Sequence, residues 1–368
     1  MNNKWLIAAV IIVVLGGIWY FAARPKVASG EPIKIGADFS LSSFGAGWGE
    51  NDRDAAMLAV KEINAKGGVL GRPLQLNIQD NQSTAKDAVS AAQNLIAGGA
   101  KFLLTGWTDQ TLAVAPLLVP NNVLGITISA GSNNVTDGSP NLFRVWPADA
   151  GQATAIAEYI HDKGYKRVAI FHNPGFYEDD LYARFKQDAA RLGLTLVADQ
   201  AIPDAQTSDV RTPMAKIKEA NPDVIYFNTI TGLGIREARR IGLNVAMAWF
   251  NDATDETFTN KAGGVAALEG LVYPVHGPST PGFVDAFKKE YNREPGTSAN
   301  TTYDGVMLLA QAIERAGSTD ITKVSAELLK VKDYQGASGT ITINDKRDRA
   351  MGEVIIMQVK NGQYVKAE

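Results

Sequence analysis

The side chains that most often carry out catalysis are few and scattered in this chain of 368 residues. Its three histidines, His161, His172 and His276, lie far apart in the sequence, and cysteine is absent. Neither the G-x-S-x-G pattern of a serine nucleophile nor the H-E-x-x-H pattern of a zinc site occurs, and the acidic residues show no metal-ligand spacing. We therefore expect no catalytic, metal or cofactor site, and keep an extracellular hydrolase as the less favoured alternative.

A glycine-rich turn is well placed in the sequence to meet a ligand. Residues 45–49 read G-A-G-W-G between a predicted strand at Ile33–Phe39 and a predicted helix at Glu50–Lys66. Neither G-x-G-x-x-G nor a P-loop pattern is present, so the amide spacing that holds a nucleotide phosphate is missing. Two interpretations remain open: a flexible turn, or a loop that presents Trp48 to a ligand at the carboxyl end of a strand.

Apolar runs that alternate with helical segments predict an α/β fold. The runs are short and almost continuously apolar, which is typical of parallel strands covered by helices on both faces. The predicted strands are Ile33–Phe39, Leu74–Asp80, Phe102–Thr105, Gly125–Ile128, Arg167–Phe171, Leu194–Ala198, Val224–Asn228 and Ala246–Phe250. The predicted helices are Glu50–Lys66, Thr84–Ala97, Gln152–His161, Asp179–Arg191, Thr212–Ala220, Gly234–Ile241, Pro281–Tyr291 and Thr301–Ala316. Residues 339–368 instead alternate polar and apolar residues around a Lys-Asn-Gly turn, which predicts a β-hairpin.

The order of these elements is repeated, and the repeat predicts two similar lobes. A strand, a helix and two further strands in the first half have counterparts of the same order in the second half. The chain is also longer than one hydrophobic core usually serves. We expect residues 31–147 and 276–335 to form the first lobe, and residues 148–275 and 336–368 to form the second.

The N-terminal segment, residues 1–30, has the composition of a membrane-targeting sequence. Trp5 to Ala23 is an unbroken run of apolar and glycine residues, with Lys4 before it and Arg24 after it. The run is a signal peptide that is cleaved, or a transmembrane anchor that is kept; its length slightly favours the anchor. Either way we expect the folded part to lie outside the cytoplasm, in the periplasm or on the outer face of the membrane.

The charge of the remaining chain excludes one class of partner. When residues 1–30 are left out, the chain contains 33 Lys and Arg and 39 Asp and Glu, and its net charge is −6. An acidic surface of this kind suits a soluble extracellular protein. Because no basic cluster remains, we expect no nucleic-acid partner.

Several strings resemble one known family over most of the chain. The strings are WGENDRDAAMLAVKEINAKGGVLGRPLQL, KDAVSAAQNLI, TGWTDQTLAVAP, FRVWPAD and NTTYDGVMLLAQAI. They are similar to the type I periplasmic binding proteins, and within them to the leucine/isoleucine/valine-binding group. The resemblance implies two Rossmann-like lobes with parallel sheets, joined by a three-strand hinge. It also implies an extracytoplasmic receptor that binds a small amino acid or related ligand and delivers it to an ABC transporter permease.

Alternatives within this fold remain open. One is a membrane-anchored sensor, and another is a binder of short amides or small carboxylates. In the resembled family two loops of the first lobe hold the ligand carboxylate with backbone amides and hydroxyls. Here the loops correspond to Thr108–Thr111 and Ser129–Ser132, which place Asp109, Gln110, Ser129, Ala130 and Gly131 at the site.

The match to the family is imperfect in both of these loops. Gln110 and Gly131 fall where the family often has a small hydroxyl residue, and Asp109 would repel a carboxylate if it pointed inward. Asp109 and Ser132 are equally consistent with helix caps.

The resemblance also implies contacts from the second lobe and from aromatic residues. Asp252 in the string WFNDATDE corresponds to the acid that receives the ligand ammonium, although an Asx turn or a helix cap fits it as well. Trp48, Tyr177 and Tyr303 correspond to aromatic residues that close over the apolar part of the ligand, and Trp107 is a weaker candidate. Single aromatic residues are as often part of the core.

Overall fold

The computed structural model describes residues 29–250, 253–254, 256–350, 352 and 354–368. Its strands are β1 (Ile33–Phe39), β2 (Leu74–Asp80), β3 (Phe102–Thr105), β4 (Leu124–Thr127), β5 (Leu142–Arg144), β6 (Arg167–His172), β7 (Thr195–Ala201), β8 (Val224–Asn228), β9 (Ala246–Trp249), β10 (Val272–His276), β11 (Tyr334–Gly336), β12 (Gly339–Ile341), β13 (Val354–Lys360) and β14 (Gln363–Lys366). Its helices are α1 (Ala46–Ala65), α2 (Ala85–Ala97), α3 (Thr108–Leu118), α4 (Ala150–Asp162), α5 (Phe176–Arg191), α6 (Arg211–Glu219), α7 (Leu233–Arg240), α8 (Glu256–Ala262), α9 (Pro281–Tyr291), α10 (Ala299–Ala316) and α11 (Ile321–Leu328). Each predicted strand and helix is present, which confirms the α/β class.

Two sheets carry the two halves of the fold. The first sheet is parallel throughout, in the order β2-β1-β3-β4-β5. The second sheet has the order β14-β13-β10-β9-β8-β6-β7, and β13 is antiparallel to both of its neighbours. We call the first sheet with its helices the first lobe, and the second sheet with its helices the second lobe. The carboxyl ends of parallel strands lie at one edge of each sheet, where α/β proteins bind ligands.

The predicted C-terminal hairpin is confirmed. Lys360 and Gln363 pair across the turn between β13 and β14. The two residues between them, Asn361 and Gly362, have φ angles of 55° and 69°. A two-residue hairpin turn of type I′ needs positive φ at both central positions, which Asn-Gly adopts readily.

One expected boundary differs from the structure. Residues 336–368 were expected in the second lobe, but Ile341 and Ile343 are buried in the core of the first lobe. The chain therefore returns to the second sheet after Ala350, where β13 begins. The alternating residues of 339–343 have the same pattern as the tail strands, so the sequence does not mark this passage.

Two buried arginine side chains connect the segments at which the chain leaves the first lobe. Arg144, at the end of β5, is fully buried and donates two hydrogen bonds of 2.6 Å to the Asp348 carboxylate. The same guanidinium donates to the backbone carbonyls of Ala130 and Ser132. Arg349 donates to the carbonyl of Val145 at 3.1 Å. We call the chain from β5 to α4 the first passage between the lobes, the chain from β10 to α9 the second passage and the chain from Ile343 to β13 the last passage. The contacts of Arg144 and Arg349 hold the first and the last passage to each other.

The described residues contain no helix that is long and apolar enough to cross a membrane. The apolar run at residues 5–23 lies outside the described residues, so its expected role as a signal or anchor stays a prediction.

Replacement of Asp348 by Ala is expected to lower the free energy of unfolding by about 3 kcal/mol, because it leaves the buried guanidinium of Arg144 without its counter-charge. Urea denaturation measures this difference. Asp345→Ala, at an exposed position three residues away, is the control and should change stability by less than about 0.5 kcal/mol. Equal effects of the two substitutions would contradict a role for the buried pair.

Candidate ligand-binding site

A cavity of about 320 Å³ lies between the lobes, at the carboxyl ends of strands from both sheets. We call it the cleft cavity. The first lobe lines it with residues that follow β1, β2, β3 and β4, and the second lobe with residues that follow β6, β7 and β8. Two residues of the first passage between the lobes, Trp146 and Asp149, complete the lining. A small molecule in this space would touch both lobes at once.

Five of the residues predicted for the site line the cleft cavity. They are Trp48, Asp109, Gln110, Ser129 and Tyr177. The positions come from four different loops of the chain, so the parallel topology is what brings them together.

Ala130 and Gly131 do not line the cleft cavity. Ala130 is buried and its carbonyl accepts from Arg144. The Gly131 carbonyl accepts from the Asp149 amide at 2.9 Å. A Cβ atom at residue 131 would lie 1.8 Å from Asp149 Oδ2 and 2.6 Å from the Tyr177 ring. Glycine is needed here because the Asp149 carboxylate and Tyr177 occupy the space of a side chain.

Tyr303 lies away from the cleft, and its predicted position was wrong. Its hydroxyl donates to Glu62 at 2.7 Å, and its ring packs against Phe283 with centroids 5.2 Å apart. Burial raises the pKa of this phenol. Asn300 and Thr301, in the turn of α10 before Tyr303, line a cavity instead. Resemblance located the helix correctly, but the face that a helical residue occupies changes by 100° with each position.

Asp252 falls outside the described residues, so its predicted contact with an ammonium group stays a prediction. His172 is stacked on Tyr182, with ring centroids 4.4 Å apart, and its Nε2 lies 3.1 Å from Asp199. It lines neither of the two cavities described here.

The site has a central residue that sequence reasoning missed. Asp149 is 2% exposed, and its carboxylate accepts hydrogen bonds from Tyr177 and Trp146, each at 2.9 Å. Gln152 donates to it at 3.1 Å, and His276 Nε2 lies 2.5 Å from the same oxygen. The signal in the sequence was an acid five residues after the strand end, in the string FRVWPAD, close to the expected boundary between the lobes.

Aromatic residues form one wall of the cleft cavity. Trp48 packs edge-on against Trp107 at 5.6 Å and lies 6.5 Å from Trp146, while Phe44 lies 5.3 Å from Trp107. Trp107 has a φ angle of 52°, which bulky residues adopt rarely and which is common at functional sites. We call Phe44, Trp48, Trp107, Trp146 and Tyr177 the aromatic wall.

The glycine-rich turn supports this wall. A Cβ at Gly45 would lie 2.8 Å from the Trp107 ring, and a Cβ at Gly49 would lie 2.1 Å from the Ser40 carbonyl oxygen. Helix α1 starts at Ala46 rather than at Glu50, so Gly49 belongs to a helix and not to a flexible turn. The interpretation that the loop presents Trp48 agrees with its place in the wall.

Carboxylates face the aromatic wall. Asp109, Glu178 and Asp204 line the cleft cavity together with Asp149. The pKa of Glu178 is raised to about 7, mainly by burial and to a smaller extent by the charges of Asp109 and Asp179, which outweigh the lowering by a hydrogen bond from Asn173. Burial also raises the pKa of Asp109. Asp149 and Glu178 have thus lost much of their hydration, whereas Asp109 and Asp204 lie at the exposed side of the cavity.

A second cavity of about 390 Å³ lies on the hinge side of the same wall. Trp48, Trp146 and Tyr177 line both cavities. The other lining residues include His276 from the second passage and Arg349 from the last. The aromatic wall thus separates a space between the lobes from a space beside the hinge.

Two α/β lobes, three passages of the chain between them and a cavity in the cleft define the class of two-lobed solute-binding proteins. The chain belongs to the periplasmic binding protein family, whose profile matches residues 32–363.

Relatives in this family span nearly the whole chain. The Leu/Ile/Val-binding protein homolog 3 of Brucella melitensis is 29% identical over 361 residues, which cover 95% of this chain and 97% of the relative. The Leu/Ile/Val-binding protein of Escherichia coli is 28% identical, with 89% of this chain and 90% of the relative covered. The crystal structure of the substrate binding protein LivJ from Streptococcus pneumoniae, in complex with isoleucine, superposes with a TM-score of 0.83 at 25% identity and covers 91% of this chain and 98% of its own.

Glu178→Gln is expected to stabilise the protein more at pH 8 than at pH 4.5. The pKa of Glu178 is higher in the folded protein, about 7, than its ordinary value of 4.5. Folding therefore binds a proton, and the wild-type free energy of unfolding falls as pH rises through this window, by up to about 3 kcal/mol. Glutamine at 178 removes that loss.

Urea denaturation of both proteins at the two pH values measures the effect. Glu31→Gln, at an exposed position, controls for the loss of one carboxylate from the chain. A difference between Glu178→Gln and wild type that is the same at both pH values would contradict the shifted pKa.

Proposed function

We propose that this protein is an extracytoplasmic solute-binding receptor of an ABC importer. It binds a small organic molecule in the cleft cavity and presents the closed, loaded form to the permease. The observation that supports this most is the cavity itself, which is formed by strand ends of both lobes and by the first passage between them. We propose that the protein acts by binding its ligand and not by catalysis.

We expect ligand binding to bring the two lobes together about the hinge. Three passages connect the lobes, and a ligand that contacts both lobes stabilises the arrangement in which they are close together. Asp149 links the first passage to His276 at the second passage and to Tyr177 of the second lobe. Closure and the state of the cleft cavity are thereby coupled through one carboxylate.

The ligand class of the relatives guides the proposal for this chain. Curated relatives are named as leucine-, isoleucine- and valine-binding proteins, and one solved relative holds isoleucine. We propose a small amino acid or a related molecule as the ligand, with short amides and small carboxylates as alternatives. A sensor of the same fold, which reports ligand to a partner rather than delivering it, is the second candidate. Its support is the apolar N-terminal run.

We propose that the N-terminal segment exports the protein and, if it is not cleaved, holds it at the membrane. Residues 1–30 contain 3 Lys and Arg and the apolar run 5–23. Mass spectrometry of the protein from the native membrane distinguishes the two fates, because cleavage removes the whole segment.

Binding is tested with the full-length protein in mild detergent. Thermal unfolding is followed against panels of amino acids, amines, amides and small carboxylates. A ligand at 100 times its dissociation constant should stabilise the folded form by about 2.7 kcal/mol. The same ligand should lower the radius of gyration in X-ray scattering and change the tryptophan fluorescence, because three tryptophans line the cleft cavity.

A matched pair of substitutions assigns the binding to this cavity. Tyr177→Phe removes the hydroxyl that donates to Asp149. We expect it to weaken binding about fivefold to tenfold, because the bond that joins the second lobe to the first passage when the lobes are close is lost. Tyr303→Phe removes a hydroxyl that donates to Glu62 outside the cleft, and it should leave the affinity unchanged. The proposal fails if no compound binds and no compaction is seen.

A further inference from the structure

The cleft cavity has the composition of a site for a cation. The five aromatic side chains of the aromatic wall line it together with the carboxyl groups of Asp109, Asp149, Glu178 and Asp204. None of the described residues that line it is Lys, Arg or His.

Two buried acceptors in the lining lack a donor. The side-chain oxygens of Asn173 and Gln110 have no hydrogen-bond partner in the described structure, and each residue is 3% exposed. The Asn173 amide nitrogen donates to the Pro174 carbonyl at 2.9 Å, which fixes the amide so that its oxygen is the free atom. A buried acceptor without a donor is costly, so these atoms call for N–H or O–H groups from a ligand.

Two of the backbone amides that could hold a carboxylate already donate within the protein. The Trp107 amide donates to the Ser129 hydroxyl oxygen at 3.0 Å, and the Ser132 amide donates to Thr108 at 3.3 Å. At residue 131, where a hydroxyl side chain could donate, Asp149 fills the space. An anion in this cavity would meet four carboxyl groups and no cation among the lining residues described.

We infer that the ligand presents a protonated amine to the cleft cavity, and that an alkyl- or arylalkylammonium ion without a carboxylate is preferred over the amino acid of the same side chain. The inference rests on the proposed function and narrows its ligand class. The ammonium N–H groups donate to Asn173 and Gln110, and its charge is balanced by Asp109 and Glu178. The aromatic wall packs against the carbon chain and attracts the cation through its ring faces.

The preference is measured by isothermal titration of the full-length protein in mild detergent with two matched series. The first is 3-methylbutylamine, leucine and 4-methylpentanoate, which share a branched chain and differ in charged groups. The second is 2-phenylethylamine, phenylalanine and 3-phenylpropanoate. In at least one series we expect the amine to bind ten times more tightly than the amino acid, and the carboxylate to bind most weakly.

Isosteric variants test which groups carry the preference. Asp109→Asn and Glu178→Gln each keep the shape of the side chain, and each should weaken amine binding about tenfold while carboxylate binding stays the same or improves. Asp345→Asn, which removes an exposed carboxylate outside the cleft, should not change the ratio of the two affinities. A purely structural role would weaken all ligands equally, so an unchanged ratio in both cleft variants overturns the assignment of these two residues.

The outcomes separate this inference from the proposed function. Tighter binding of the amino acid or the carboxylate in both series overturns the inference and leaves the solute receptor standing. If the wider screen finds a ligand that is not an amine and finds no amine that binds, the inference is likewise overturned and the solute receptor stands. If nothing binds in either experiment, both proposals fail.

Discussion

The carboxylate of Asp149 is the group on which the arrangement of the cleft depends. It is buried at the first passage between the lobes and is satisfied by Tyr177, Trp146, Gln152 and His276. A buried carboxylate is stable only when such partners surround it, and the same partners become fixed in return. Two of them belong to the aromatic wall, and a third lies at the second passage. One charge thus orients part of the ligand cavity and part of the hinge together.

The lobes and the hinge use buried polar groups in different ways. Within each lobe the core is apolar, and the strands that carry it are covered on both faces. Where the chain leaves the first lobe, polar contacts take the place of apolar packing. Arg144 forms an ion pair with Asp348, and Arg349 donates a hydrogen bond to the Val145 carbonyl. Hydrogen bonds and ion pairs depend on direction, whereas apolar contact does not. The polar groups therefore set the path of the chain at these passages while the cores set the stability of each lobe.

The regular parts of the fold could be predicted from the sequence because their signals are local. Continuous apolar strands, amphipathic helices and the Asn361-Gly362 turn each carry the information within a few residues. The start of α1 could not be predicted in this way. A glycine at position 49 is typical of a turn, whereas it is needed here because the helix packs closely against the Ser40 carbonyl. Resemblance placed five site residues in the cleft, since the loops follow strand ends. It failed for Tyr303, which lies on a face of α10 away from the cleft cavity, and it passed over Asp149, whose partners Tyr177 and His276 are 28 and 127 residues away in the sequence.

The close contact between Gly131 and Asp149 restricts how such a cleft can change its ligand during evolution. A serine or threonine at 131 and an aspartate at 149 cannot occupy their present positions together, because the first atom of the new side chain would overlap the carboxylate. A serine or threonine at position 131 is therefore tolerated only after residue 149 has changed. A protein that acquires a hydroxyl side chain at position 131 must first lose the Asp149 carboxylate. Tyr177, Trp146 and His276 then no longer share this partner. A change in the shape of this part of the cleft therefore also changes the contacts of the hinge.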